Sequence, residues 1–316
     1  MEAYRKLFTL HRLAILLMAL PFCLACNPRP KTEAALSEDR PKILDSITNK
    51  GFPKTITTPK DVTVGGYFGY MDSLVHSYDS LLPFTLTEHV LVWSNPWIID
   101  TLANTDYYRM KARDSFVYDQ RKMIVLPKGA SLAIPDSSMA SSIKHGFDKM
   151  LIDVNIPEFK LRIFRDSTLL HSIPVRVGQN RNRYLAMDKK VNDLRTRTGK
   201  GFIVSHVKNP TFYNPVDGRR YYTTRRDDGQ TTLMPQIPWV ETEINGVRNG
   251  QMIHPTTNPE TLGKAYSNGC IGVGEAAAWI IYYHAPLGTK IQIRYDLTVP
   301  NGPDTLYLKD IYGLSK

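Results

Sequence analysis

Cysteine is scarce in this chain, with three residues in 316. So low a count excludes a disulfide-dense scaffold and any zinc or iron–sulfur framework built on several thiolates. Long apolar runs are also missing. The one sustained run, Leu13 to Leu20, has eight residues, where crossing a bilayer takes about 20. No metal-binding spacing is present: His76, His89, His145, His171, His206 and His284 are scattered, without an H-x3-H pair or a nearby ligand cluster. Gly65-Gly66-Tyr67-Phe68-Gly69 lacks the Lys-Ser/Thr of a phosphate loop and reads as a turn. No metal or cofactor is expected. What remains is 42% apolar, too much for a wholly disordered protein.

The N-terminus carries Arg5, Lys6 and Arg12 ahead of the short apolar run. That is the layout of an export signal. Ala25-Cys26 resembles a bacterial lipoprotein cleavage box, with Cys23 where such boxes usually have Leu. On this reading residues 1–25 are removed and Cys26 is lipidated, placing the body in the cell envelope, facing the periplasm, on the outer membrane. Maturation removes three basic residues and Glu2, so the formal charge falls from +10 to +8. Export and the lack of an Arg-rich helix argue against a nucleic-acid partner. The charge suits an anionic envelope polymer instead.

Residues 26–66 are rich in Pro, Lys, Thr, Ser, Glu and Asp and read as a flexible tether. Residues 67–148 read as a small α+β domain. In it, Leu86 to Val92 looks like a strand, Asn95 to Asp114 like helix opened by Pro96, and Met123 to Pro135 like two strands about a Lys-Gly turn. That order resembles a degenerate LysM module. From residue 149 to 296 the chain turns strand-rich, at Leu151–Asn155, Glu158–Arg165, Leu169–Val177, Gly201–His206 and Lys290–Tyr295. Glu275–His284 reads as an amphipathic helix. Residues 207–238 form a long polar loop, a candidate lid, and 297–316 a C-terminal extension. The fold class is therefore mainly β with one or two helices, behind a small α+β segment.

Cys270 is the thiol left after maturation. Such a cysteine is buried and inert, paired between molecules, or a nucleophile. Its setting, Ser267-Asn268-Gly269-Cys270-Ile271-Gly272, is small and turn-forming, unlike an apolar core site. A helix starting near Glu275 would bring its positive end close and lower the thiol pKa. A nucleophilic thiol needs a base, and His254 stands upstream in the strand-like Gln251-Met252-Ile253-His254-Pro255.

The stretch IHPTTNPETLGKAYSNGCIGV resembles the signature of the L,D-transpeptidases, the YkuD-type catalytic domain. SIPVRVG (Ser172 to Gly178), TRTGKGF (Thr196 to Phe202) and GTKIQI (Gly288 to Ile293) are similar to further elements of that family. Three positions depart from it: Asn268 replaces a His, Gly272 an Arg, and Pro255 a Gly. The resemblance implies a β-sandwich or barrel-like catalytic domain acting, as a monomer, on peptidoglycan stem peptides. Cys270 would attack the carbonyl before the terminal D-Ala of a tetrapeptide, with His254 moving the proton. The N–H of Cys270, with that of Gly269, would hold the oxyanion, and Ser267 and Asn268 would shape the turn. A second stem's amine would then take the acyl group, giving a 3→3 crosslink. Tyr213, Arg225 and Arg226 of the loop are candidates for binding stem carboxylates. Two alternatives stay open: a carboxypeptidase-type hydrolase on the same scaffold, and an inactive lipid-anchored wall-binding module.

Overall fold

A computed structural model of the chain describes residues 54–315. The signal sequence, Cys26 and most of the expected tether lie outside the described residues. The tether reading fails for its last part. Residues 54–66 already contain strands β1 (Thr55–Thr57) and β2 (Val62–Thr63), and Val62 and Val64 are buried. Helix α1 (Val64–Asp79) follows. It takes in the Gly65–Gly69 run that was expected to turn, because Tyr67, Phe68 and Met71 form a buried helical stripe.

Leu86 to Val92 is not a strand. Helix α2 (Glu88–Trp93) runs there, opened by the Thr87 hydroxyl, which accepts from the Val90 N–H at 3.2 Å. Its first five residues are all buried, so no helical period shows in the sequence. Helices α3 (Trp97–Ala103) and α4 (Tyr107–Lys111) follow, the second capped by Asp106. Strands β3 (Ile124–Leu126) and β4 (Ser131–Ala133) come next, then helix α5 (Ser137–Asp148), which Asp136 caps. The last two strands do not pair with each other as expected. β3 pairs with β2 and β4 with β1. With α2 a helix, the strand–helix–strand order behind the LysM resemblance is lost.

The rest of the chain is mainly β. In order come β5 (Met150–Asn155), β6 (Lys160–Arg165), β7 (Thr168–Pro174), β8 (Val177–Gly178), β9 (Asn182–Leu185), β10 (Lys190–Asp193) and β11 (Gly199–Val207). Next are β12 (Thr223–Arg225), β13 (Thr231–Leu233), β14 (Trp239–Ile244), β15 (Val247–Pro255), β16 (Ala265–Ser267) and β17 (Ile271–Val273). Helix α6 (Glu275–His284), β18 (Lys290–Arg294) and the hairpin β19 (Thr298–Asn301) and β20 (Asp304–Tyr307) complete the chain.

Eight strands form one sheet, ordered β17-β15-β14-β11-β18-β5-β6-β7. Its pairs are antiparallel except β15 with β17 and β18 with β5. The two edges nearly meet: just past β7, Arg176 N–H donates to Gly272 O at 2.9 Å and Gly272 N–H to Arg176 O at 3.0 Å. The sheet is thus almost closed into a barrel. Helix α6 is not amphipathic. Eight of its ten residues are buried, among them Trp279, Tyr282 and Tyr283. Each large side chain so buried contributes roughly 1.5–3 kcal/mol. The two tyrosine hydroxyls are satisfied from the preceding segment: Tyr282 Oη donates to Glu88 Oε1 at 3.2 Å, and Tyr283 Oη lies 2.6 Å from Tyr67 Oη and donates to Glu88 Oε1 at 2.8 Å. Residues 62–148 and the sheet therefore share one core.

Candidate active site

Strand β15 carries the imidazole. Along it Gln251, Ile253 and Pro255 are buried, while Gly250, Met252 and His254 are turned to the other face, as the two-residue period of a strand requires. Parallel pairing sets His254 opposite Gly272 of β17, two residues beyond Cys270. Cys270 and His254 line one cleft of about 520 Å³, within the range of small-molecule sites. Pro255 costs the sheet nothing. The Thr256 N–H continues the ladder to Val273 O at 2.7 Å, and the pairing of β14 with β15 stops at Ile253, short of Pro255.

The His254 ring is oriented by backbone. Its Nδ1 lies 2.9 Å from Pro255 O, an atom that can only accept, so Nδ1 carries the proton and Nε2 is left free. Burial, with the nearby Arg176 cation, lowers its pKa to about 4. The imidazole is therefore neutral at neutral pH, with Nε2 able to accept a proton. Trp239 stands against it, ring centroids 5.4 Å apart.

Cys270 is half-buried and is the one free cysteine among the described residues. Its Sγ lies 3.9 Å from Gly250 O. Burial pushes the thiol pKa up, opposed by the Met252 N–H and by Arg176. The lowered thiol pKa expected from helix α6 is thus overturned. The reason is burial of the thiol, which outweighs what the helix end could supply.

The turn before Cys270 is fixed from several sides. Ser267 Oγ donates to Cys270 O at 2.5 Å and accepts from Gly269 N–H at 3.2 Å. Gly269 has φ of +112°, a conformation that excludes most other residues. Thr196 Oγ1 donates to Gly269 O at 3.0 Å, and Tyr312 Oη accepts from Thr196 N–H at 3.1 Å while donating to Gly178 O at 2.7 Å. The C-terminal extension therefore braces the cysteine turn, which sequence reasoning missed. The Gly269 N–H is occupied by Ser267. Cys270's own N–H has no acceptor among the described residues, so it is the better oxyanion donor of the two.

Of the loop candidates, Tyr213 lines the cleft with Phe212, Tyr221 and Thr224. Arg225 is exposed and lies outside the lining. Arg226 is only 2% exposed and is no substrate ligand. It forms an ion pair with Glu275, donates to Thr232 Oγ1 at 2.8 Å and Gln120 Oε1 at 2.9 Å, and lies over the Tyr107 ring. The loop is not all irregular either, since β12 and β13 pair as a hairpin. Its far side is pinned by the preceding helices: Tyr107 Oη donates to Asp228 at 2.9 Å and Asp227 N–H to Tyr108 Oη at 2.9 Å. Asn258 Nδ2, four residues past His254, donates to Asp227 Oδ1 at 2.9 Å. The loop, the base strand and residues 107–108 thus hold one another.

A second residue escaped the sequence reading. Arg176 lines the cleft, and its cation acts on both Cys270 and His254.

Residues 149–293 match the family model of YkuD, the L,D-transpeptidase catalytic domain. The YkuD match covers the whole eight-stranded sheet but for Arg294, and both edges that carry the cleft. Solved L,D-transpeptidases resemble the chain. One from Mycobacterium smegmatis is 16% identical over 46% of this chain and 58% of that one, with a TM-score of 0.32. Another, from Xylanimonas cellulosilytica, is 11% identical over 77% of this chain and 99% of that one, with a TM-score of 0.34. A third, from Mycobacterium tuberculosis, is 16% identical over 46% of this chain and 57% of that one, with a TM-score of 0.31. The chain thus spans little more than half the length of the first and third. No protein with a curated description matches it.

Proposed function

We propose that the protein is a peptidoglycan L,D-transpeptidase of the cell envelope, working through a thioester on Cys270. The observation that carries this is the cleft shared by the free thiol and a neutral His254 whose Nδ1 is held by the Pro255 carbonyl. The YkuD match over residues 149–293 supports the substrate class.

The raised thiol pKa sets how the step runs. Cys270 stays protonated until substrate arrives, and His254 Nε2 takes the proton as sulfur attacks the carbonyl before the terminal D-Ala. The Cys270 N–H receives the oxyanion. Collapse breaks the C–N bond, His254 returns its proton to the departing D-Ala amine, and a thioester remains. A side-chain amine of a second stem attacks this thioester and gives its proton to His254, forming the 3→3 amide and releasing the thiol. The lipid anchor at Cys26 would hold this body at the membrane within reach of the wall.

The test is to incubate purified protein with tetrapeptide-stem muropeptides and weigh the products by mass spectrometry. Dimers that disappear in Cys270→Ala and His254→Ala support the reading. Tripeptides without dimers point to a hydrolase, and unchanged substrate sinks both enzymatic readings.

A further inference from the structure

The cleft has a guanidinium that the loop arginines do not supply. Gly272 presents no side chain two residues after Cys270, and Arg176 fills the space. A Cβ at Gly272 would lie 2.4 Å from Arg176 Nε and 2.7 Å from its Cγ. The two residues also exchange backbone hydrogen bonds at the closure of the sheet. The position of the guanidinium is therefore set by the barrel seam and by the absence of a side chain opposite it.

Its hydrogen bonding is incomplete. Nη1 reaches Thr261 Oγ1 at 3.3 Å, Nε is buried with no acceptor, and no Asp or Glu pairs with it among the described residues. Burial works against the charge and lowers the pKa of the guanidinium. A partly buried cation without a counter-charge is costly unless an anion completes it. Trp239, also on the cleft wall, keeps a second buried N–H without an acceptor. Nothing among the described residues answers these donors, which leaves them for a ligand.

We propose that Arg176, in the space Gly272 leaves open, binds the free C-terminal α-carboxylate of the peptide whose carbonyl Cys270 attacks. This rests on the acyl-transfer reading above. In a peptide cleaved before its last residue, that carboxylate is attached to the α-carbon of the leaving amino acid, so a cation flanking the thiol meets it while sulfur meets the carbonyl. The ion pair selects stems that end one residue beyond the scissile bond. A longer stem puts its carboxylate elsewhere, and an amidated stem has none. Planar guanidinium matches carboxylate in two parallel N–H···O bonds, and this stands in for the Arg that Gly272 replaces.

The experiment compares a tetrapeptide-stem donor with its C-terminal amide, using wild type, Arg176→Met, Gly272→Ala and the double variant. Wild type should prefer the acid by about 10–100-fold in kcat/KM, the range for a hydrogen bond to a charged group. Arg176→Met should lose that factor on the acid, chiefly through KM, and lower turnover of the amide, which has no carboxylate to bind, by much less. A purely structural role would lower both donors alike. Gly272→Ala displaces the guanidinium and should reproduce the loss, while the double variant should be no worse than Arg176→Met. The proposal is overturned if Arg176→Met, melting as wild type does, keeps the preference for the acid. It is also overturned if the double variant shows the product of the two single losses. Turnover of neither donor by wild type would sink the acyl-transfer reading and this one with it, whereas turnover of both without preference sinks this one alone.

Discussion

Arg226 and Arg176 are both taken from water, and they are built to opposite ends. Arg226 has a carboxylate, an amide oxygen and a hydroxyl on its three nitrogens and an aromatic ring beneath it. Nothing is left for a ligand to do there. Arg176 has one long hydrogen bond and a buried Nε facing a glycine. The first arrangement ties the loop hairpin to helix α6 and to Gln120. The second stores an unmet demand beside the thiol. A buried charge with all its bonds made fixes structure, and one without them marks where a ligand of opposite charge belongs.

The strongest test of that contrast is to unmake the satisfied site. Glu275→Gln leaves Arg226 buried without a counter-charge. It should cost about 3–5 kcal/mol in urea unfolding. Replacing both partners, as Arg226→Met with Glu275→Leu, removes the charge instead of stranding it. That double variant should recover more than half of the loss, because burial already pulls the Glu275 carboxyl up against the opposing Arg226 cation. If the double variant is as unstable as Glu275→Gln, the pair is stabilising in its own right and the comparison is misdrawn.

The sequence shows these two arginines very unequally, and shows neither role. Cys270 and His254, which share the cleft, stand in short motifs that single them out, and the strands from 149 onward are legible from their β-branched runs. Arg225 and Arg226 are adjacent and look alike. Which of them turns inward depends on Glu275, on another element, and on the one-residue alternation of a short strand. Arg176 reads as an ordinary strand residue until the sheet closes and brings Gly272 against it. The departure at Gly272 was the available signal, read as a lost guanidinium when it makes room for another. The raised thiol pKa is hidden for a similar reason, since the burial that causes it comes from segments distant in the chain. Helix α2 was misread because burial on all sides erases the period that tells helix from strand.

A smaller effect lies in the pH profile of the cleft. In the proposed mechanism His254 acts as base only when neutral, and its pKa is about 4. Activity should therefore hold from neutrality down to about pH 5 and fall below about 4. The Arg176 cation contributes to that low value. Removing it in Arg176→Met should move the acid limb to higher pH by up to about one unit, or about 1.4 kcal/mol. The amide donor is the substrate for this measurement, since it does not need the ion pair. Folding must be followed in parallel. A histidine whose folded pKa lies below its unfolded value leaves the unfolded chain binding more protons between the two. His89, His206, His254 and His284 are all held at about 4 by burial. Stability should thus be full above about pH 6.5 and decline as pH falls from there towards 4. An acid limb that does not move in Arg176→Met would place the guanidinium too far from the imidazole to act on it.

The smallest expected effect is the one that most sharpens the comparison. Arg176→Met keeps the apolar stem over Gly272 and removes a cation that no carboxylate among the described residues balances. Unlike Glu275→Gln, it strands no partner. Only Thr261 loses a hydrogen bond, and that one is 3.3 Å long. Two terms then oppose each other. The seam loses a weak contact, and the cleft is relieved of an incompletely satisfied charge. The change in unfolding free energy should stay within about 1 kcal/mol of zero, or favour the variant, by urea denaturation with an unchanged m-value. A loss as large as that of Glu275→Gln would mean that Arg176 is held for the fold and not for a ligand. A near-zero change in stability, with a loss falling chiefly on the free-acid donor, would separate the two arginines as the structure does.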